Sequence, residues 1–173
     1  MILVTIGTND APYEPLFEAM DAYAGETGEE VVIQKAHSAF EAKHCECFAF
    51  KPDAEFSKYY DRADLIVCHA GIGTIMNGLE RNIPLVLVPR EVVLPDSVSD
   101  QQGIVARRIA DIGRGVCVND LSELYDKIAE ARALEFSPYV KDTGLTDYIA
   151  GRLSELAAGK EGGHKYKRPP TSR

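Results

Sequence analysis

A chain of 173 residues, 45% hydrophobic and 27% charged, has the composition of an ordinary globular protein large enough to bury its own core. Its net charge of −8 excludes a nucleic-acid-binding surface over most of the molecule, and no apolar run approaches the ~18 residues needed to cross a bilayer. The first residues, Met1-Ile-Leu-Val-Thr-Ile-Gly7, lack the basic region and long apolar stretch of a signal peptide; with four cysteines and no secretory feature, a cytosolic protein with reduced thiols is expected.

Strand-like and helix-like runs alternate along the chain. In order, the pattern predicts a strand over Ile2–Ile6, a helix over Pro15–Ala24 and a strand over Val31–Lys35. The stretch Ala36–Lys43 is ambiguous between loop and helix. Then come a strand over Cys45–Phe50, a helix over Ala54–Arg62, a strand over Leu65–Cys68 and a helix over Thr74–Arg81. A strand over Leu85–Val88, a helix over Asp100–Ile112, a strand over Gly115–Val118 and a helix over Leu121–Ala133 follow. A last helix is expected over Thr146–Ala157, weakened at its ends by Gly144 and Gly151.

Continuous apolar strands such as Leu85-Val-Leu-Val88 suit a sheet covered on both faces, so the expected fold is α/β, a doubly wound parallel sheet of Rossmann type. One domain over residues 1–158 is expected, with a basic tail over 159–173. From Lys160 to Arg173 the charge is +4, which leaves −12 for the rest. The plain reading of that tail is a solvated end; the sharper one is contact with anionic lipid or an acidic partner. In doubly wound sheets ligands bind beyond the C-terminal strand ends, near the point where strand order reverses. Three loops leave strands at that edge: Gly7-Thr8-Asn9-Asp10, His69 to Thr74, and Pro89 to Gln102.

The segment Asp64-Leu-Ile-Val-Cys-His-Ala-Gly-Ile-Gly-Thr74 is the most informative. A buried strand runs into a small-residue turn, and a helix opens at Thr74, a good N-cap type. Strand, glycine turn and helix N-terminus leave backbone N–H groups and a positive dipole end free for an anion, which points to a phosphate-bearing ligand. Gly7 and Thr8 add a flexible backbone and a hydroxyl, or simply a turn that caps the next helix. The glycine spacings match neither a nicotinamide-binding turn nor a P-loop. His69 is either structural, a donor to a phosphate or sugar hydroxyl, or a weak candidate for a general base. Gln101 and Gln102, at a helix start, can read sugar hydroxyls or lie on the surface. His44-Cys45-Glu46-Cys47 offers two thiols on one strand face but no second cluster to complete a tetrahedral metal site. The usual Asp-x-Asp diphosphate-metal pair is also missing, so no metal and no cofactor are expected.

Together these motifs resemble the glycosyltransferase family whose members include the C-terminal, nucleotide-sugar-binding half of the peptidoglycan N-acetylglucosaminyltransferase: glycosyltransferase family 28. The similar segments are Val4 to Thr8, Ala63 to Thr74, Pro84 to Arg90, and Ser99 to Gln102 with Ala106. The likeness is stronger to stand-alone halves, the cytosolic subunits of two-part dolichol-linked N-acetylglucosaminyltransferases and exopolysaccharide β-1,4-galactosyltransferases. The resemblance implies the C-terminal half of a GT-B architecture and transfer of a hexose or N-acetylhexosamine from a UDP-sugar, without a metal. The acceptor would be lipid-linked and held by a separate membrane-associated subunit, placing this chain at the cytosolic membrane face. It also implies that Gly7, Thr8, Gly71, Ile72, Gly73 and Thr74 face the donor diphosphate, that Gln101 and Gln102 contact the donor sugar, and that Phe50 and Lys51 edge the uracil. Many relatives carry Glu where Asn77 stands, to bind the ribose, and Asn77 takes that position here. No catalytic base is identifiable. A non-catalytic enhancer that stabilises a separate catalytic chain is the competing reading, and a nucleotide-sugar epimerase or hydrolase a third.

Overall fold

A computed structural model describes residues 1–8, 13–90, 101–140 and 144–157. The chain forms two compact units, Met1–Tyr139 and Val140–Arg173. In the first, β1 (Ile2–Thr5) leads to α1 (Glu14–Thr27), then β2 (Val31–Gln34) and β3 (Glu46–Phe48). They are followed by α2 (Asp53–Arg62), β4 (Leu65–Cys68), α3 (Ile72–Arg81), β5 (Leu85–Leu87), α4 (Gln101–Asp111) and β6 (Gly115–Cys117). A 3₁₀ turn (Leu121–Glu123) then opens α5 (Leu124–Arg132). The described part of the second unit holds α6 (Gly144–Ala157), whose Ile149 and Leu153 are exposed.

The six strands are parallel in the order β3-β2-β1-β4-β5-β6. The chain starts in the middle, winds out one way to β3, crosses back and winds out the other way. The reversal of order therefore falls between β1 and β4. The expected doubly wound parallel sheet is the observed fold.

Every residue of β1, β2, β4 and β5 is buried, because helices cover both faces. Strand alternation divides the core in two. Ile2, Val4, Val31, Ile33, Leu65 and Val67 pack with Phe17 and Met20 of α1 and with Leu124 and Ile128 of α5. Leu3, Ile66, Cys68, Leu85 and Leu87 pack with Tyr60 of α2, with Ile75 and Leu79 of α3 and with Ile109 of α4. Full burial of each such side chain contributes about 1.5–3 kcal/mol before entropy is counted.

Several local expectations are corrected. Thr74 is not an N-cap: α3 begins two residues earlier, behind Gly71 in extended conformation. β3 is half the expected length, and Ala36–Lys43 is a loop, entered through Ala36 at φ 50°. The buried carboxylate of Asp21 on α1 holds that loop by accepting from the backbone N–H groups of Lys43, His44 and Cys45. The Cys45 thiol donates to it as well, at 3.0 Å. The helix expected from Leu121 opens with a 3₁₀ turn capped by Asp120. Asn9, Asp10, Asp100, the apolar run Val92-Val-Leu-Pro95 and the basic tail lie outside the described residues.

Candidate functional site

At the C-terminal ends of β1 and β4 the chain makes two turns that L side chains rarely adopt. Gly7 stands at φ 67° after β1, and Ala70 at φ 64° after β4. Between the turns sits His69, its imidazole packed edge-on to Tyr13 with ring centroids 6.2 Å apart. The ring leaves no room on Gly71, while Gly7 is restricted by its positive φ. A Cβ at Gly71 would lie 2.5 Å from both Cε1 and Nε2 of His69, and one at Gly7 3.4 Å from Cε1. Gly71 is thus required by its neighbour, since its own backbone (φ −71°, ψ 133°) suits any residue.

Only 9% of His69 is exposed, and its Nδ1 has no hydrogen-bond partner among the described residues. Burial pushes the imidazole below its ordinary pKa; the Thr5 backbone opposes the shift, and the Arg90 cation adds to it. Arg90, at the end of β5, likewise has a buried Nε without a partner among the described residues. Two unsatisfied buried nitrogens beside one anion-ready turn are what a polar ligand would complete.

α3 provides that anion-ready turn. Its first intrahelical bond runs from Ile75 N–H to Gly71 C=O, so the N–H groups of Ile72, Gly73 and Thr74 have no helical acceptor. No side chain among the described residues caps them. Ile72 is 60% exposed at the tip, and a Cβ at Gly73 would meet nothing within 4 Å. Thr74 is buried near Tyr60 of α2 and contributes its backbone N–H to this first turn.

Gln102, on the first turn of α4, uses Oε1 to accept the Arg90 N–H at 3.0 Å and the Tyr13 hydroxyl at 3.4 Å. Its neighbour Gln101 is exposed. The structure therefore gathers Gly7, His69, Gly71, Tyr13, Arg90 and Gln102 across three strand ends. Thr8 is exposed on the β1 turn.

Other expected residues sit differently. Asn77 is turned onto its own helix, with Nδ2 donating to Gly73 C=O at 2.9 Å and Oδ1 accepting from Arg81 at 2.9 Å. Phe50 is exposed and rests against His37. The Lys51 ammonium lies over the rings of Phe48 and Tyr59.

One set of residues behind the site escaped sequence reasoning. The Thr5 hydroxyl donates to Gln34 Oε1 at 2.6 Å and accepts from Gly7 N–H; Gln34 Nε2 donates to the carbonyls of Gly7 and Ala49. Both side chains are buried, and together they tie the turns after β1 and β3 to one frame. The only sequence signal was a glutamine ending an apolar strand, Val31-Val-Ile-Gln34.

Among the described residues no group of three or more His, Cys, Asp or Glu is placed to hold a metal ion. None of their helices is long and apolar enough to cross a membrane.

A profile of the glycosyltransferase family 28 C-terminal domain matches residues 1–137. No curated protein matches the chain. Among solved structures, the spinosyn rhamnosyltransferase SpnG is 22% identical with a TM-score of 0.58, over 92% of this chain and 41% of that one. MurG of Acinetobacter baumannii is 22% identical with a TM-score of 0.54, over 77% of this chain and 42% of that one. The UDP-GlcNAc 2-epimerase of Methanocaldococcus jannaschii, solved with UDP-GlcNAc and UDP, is 12% identical with a TM-score of 0.62, over 88% and 44%. At these identities the likeness is one of fold. The chain spans about two fifths of the length of each of these structures.

Proposed function

The chain belongs to the glycosyltransferase family 28 C-terminal domain family, and from that premise we propose that it is the donor-binding half of a metal-independent, inverting glycosyltransferase. It binds a UDP-sugar carrying a hexose or N-acetylhexosamine. The acceptor is lipid-linked and is presented by a separate membrane-associated subunit at the cytosolic membrane face. The observation that carries this reading is the N-terminus of α3, uncapped among the described residues, at the reversal of strand order and behind a glycine that the His69 ring requires.

In the reaction, an acceptor hydroxyl oxygen bonds to the anomeric carbon while the bond from that carbon to the diphosphate oxygen breaks. Charge grows on the departing diphosphate. The N–H groups of Ile72, Gly73 and Thr74 and the positive end of α3 oppose that charge, in a setting already oriented before the reaction. The Arg90 cation stands at the same edge. Gln102, fixed by the Arg90 amide and Tyr13, keeps its amide nitrogen for the donor sugar. His69, lowered in pKa by burial, is neutral near pH 7 and serves the diphosphate as a hydrogen-bonding group; the base that deprotonates the acceptor comes from the partner.

Isothermal titration with UDP tests the proposal. Binding to the chain or to its reconstituted complex is expected, and absence of binding to both refutes it. The enhancer reading draws on Asn77, whose amide is engaged at both ends within its own helix. A reconstituted pair carrying Gln102→Ala separates the two: loss of transferase activity supports donor binding, and full activity supports a scaffold.

A further inference from the structure

Thr5 and Gln34 stand side by side in the ladder between β1 and β2, and both are buried. A buried amide ending an apolar strand, Val31-Val-Ile-Gln34, is costly unless its polar atoms are matched. Here they are. Oε1 accepts the Thr5 hydroxyl at 2.6 Å, and Nε2 donates to the carbonyls of Gly7 at 2.7 Å and Ala49 at 3.2 Å. Carbonyls only accept, so the sense of the amide is fixed. The strand ladder does not need these bonds. Both carbonyls lie in turns beyond the ends of β1 and β3, at the edge where α3 presents its free N–H groups. The Gln34 side chain therefore holds the shape of that edge.

Gly7 stands at φ 67° and, without a Cβ, leaves the peptide that follows it free to rotate. That peptide is trans, so its C=O and N–H point in opposite directions. With the Gly7 carbonyl drawn inward to Gln34, which is 3% exposed, the Thr8 N–H is turned outward. It has no acceptor among the described residues, and Thr8 is exposed. The His69 ring sets this turn beside α3, because its Cε1 lies 3.4 Å from the place of a Gly7 Cβ and 2.5 Å from that of a Gly71 Cβ. The buried Nδ1 of the same ring has no partner among the described residues.

Backbone N–H groups gathered in this way form an anion-binding concavity, whereas a peptide turned over would offer the same space a carbonyl oxygen and repel the anion. We propose that Gln34 is a positioning residue for the donor diphosphate: by anchoring the Gly7 carbonyl, it aims the Thr8 N–H at the anion held by the first turn of α3. This rests on the donor-binding reading above and adds to it a side chain that acts from behind the turn.

The test titrates UDP into the full chain, or into its reconstituted complex where only that binds, well below the melting temperature of each variant. Thr8→Pro removes the backbone donor at an exposed position and should weaken UDP about tenfold, the scale of a hydrogen bond to a charged group. Thr8→Ala keeps that donor and should bind at least about fivefold more tightly than Thr8→Pro. Gln34→Met keeps length and burial but frees the peptide, and should weaken UDP by about the same factor as Thr8→Pro. Both changes act through one N–H, so the double variant Gln34→Met, Thr8→Pro should lose no more than about twofold beyond Thr8→Pro alone. A purely structural Gln34 would lower the melting temperature and leave UDP affinity in place, or its effect would multiply with that of Thr8→Pro; either result overturns the proposal. So does a Thr8→Pro protein that binds UDP like wild type, which decides the matter even where Gln34→Met does not fold. If Thr8→Ala loses as much as Thr8→Pro, the hydroxyl is the donor, and the assignment falls while donor binding stands. If neither form of wild type binds UDP, the donor reading falls and this one with it.

Discussion

Replacing Gly71 by Ala isolates the contact that shapes the site. The new methyl would sit 2.5 Å from two ring atoms of His69, about 1 Å inside the 3.5–4.0 Å at which carbon atoms rest comfortably. The backbone contributes no strain, because Gly71 is extended. The ring must therefore move, and it is buried, with Tyr13 on one side and the Gly7 turn on the other. Overpacking of this kind costs about 1–3 kcal/mol, or roughly 3–9 °C in melting temperature for a chain of this size. UDP affinity should fall with it, since the displaced ring enters the space beside the α3 N-terminus. Gly73→Ala is the control: its Cβ meets nothing within 4 Å and its backbone is helical, so stability should hold or rise. The decisive measurement is the double variant Gly71→Ala, His69→Ala, in which the clash is gone. Thermal melts should show it less destabilised than the sum of the single variants, by about 1 kcal/mol or more. Additive effects, or a Gly71→Ala protein that melts with wild type, would refute the claim that His69 dictates this glycine.

Two further predictions concern charge. His69 is held below its ordinary pKa by burial, so below about pH 6.5 the unfolded chain takes up the proton more readily than the folded one. Its contribution is complete above that pH and declines as pH falls toward the folded pKa; the stability difference between wild type and His69→Gln, read from urea midpoints at pH 5 and 7.5, should shift against wild type at pH 5, and a pH-independent difference would contradict it. For Asp21, burial acts to raise the pKa, but the Cys45 thiol and the backbone N–H groups of His44, Lys43 and Cys45 outweigh it and hold the carboxyl below its usual value. Its stabilisation is present above the ordinary carboxylate range and lost as pH falls through the lowered value, and Asp21→Ala, which strands those donors, should cost about 2 kcal/mol at pH 7 in a denaturant melt; a cost that persists unchanged at pH 2 would sink the assignment.

The sheet was legible because its information is local and repeated. Leu65-Ile-Val-Cys68 and Leu85-Val-Leu-Val88 are apolar on every residue, the pattern a short strand covered on both faces requires. Ends were harder to read for identifiable reasons. Thr74 has good capping chemistry, but it lies inside α3, buried near Tyr60, and Gly71 takes the N-cap position instead. Cys45 looked like strand, yet the Asp21 carboxylate on α1 gathers Lys43, His44 and Cys45 into a loop and shortens β3. At Cys45 a side chain far away in sequence overrode the local preference.

The site divides along the same line. Its backbone parts, a turn of small residues and a free helix N-terminus, follow from order along the chain, so Gly7, Gly71, Ile72 and Gly73 could be named from sequence. Its side-chain parts depend on which strand ends become neighbours. His69 packs against Gly7 only because β4 pairs with β1, and Gln102 meets the Arg90 amide only because α4 returns across the end of β5. Gln34 joins the turns after β1 and β3 from the strand between them, a position whose value exists only in the sheet order β3-β2-β1. Asn77 makes the same point in reverse. Local alignment points to Asn77, but its amide is tied to Gly73 and Arg81. An amide already bonded along its own helix offers a ligand less than its residue type alone suggests.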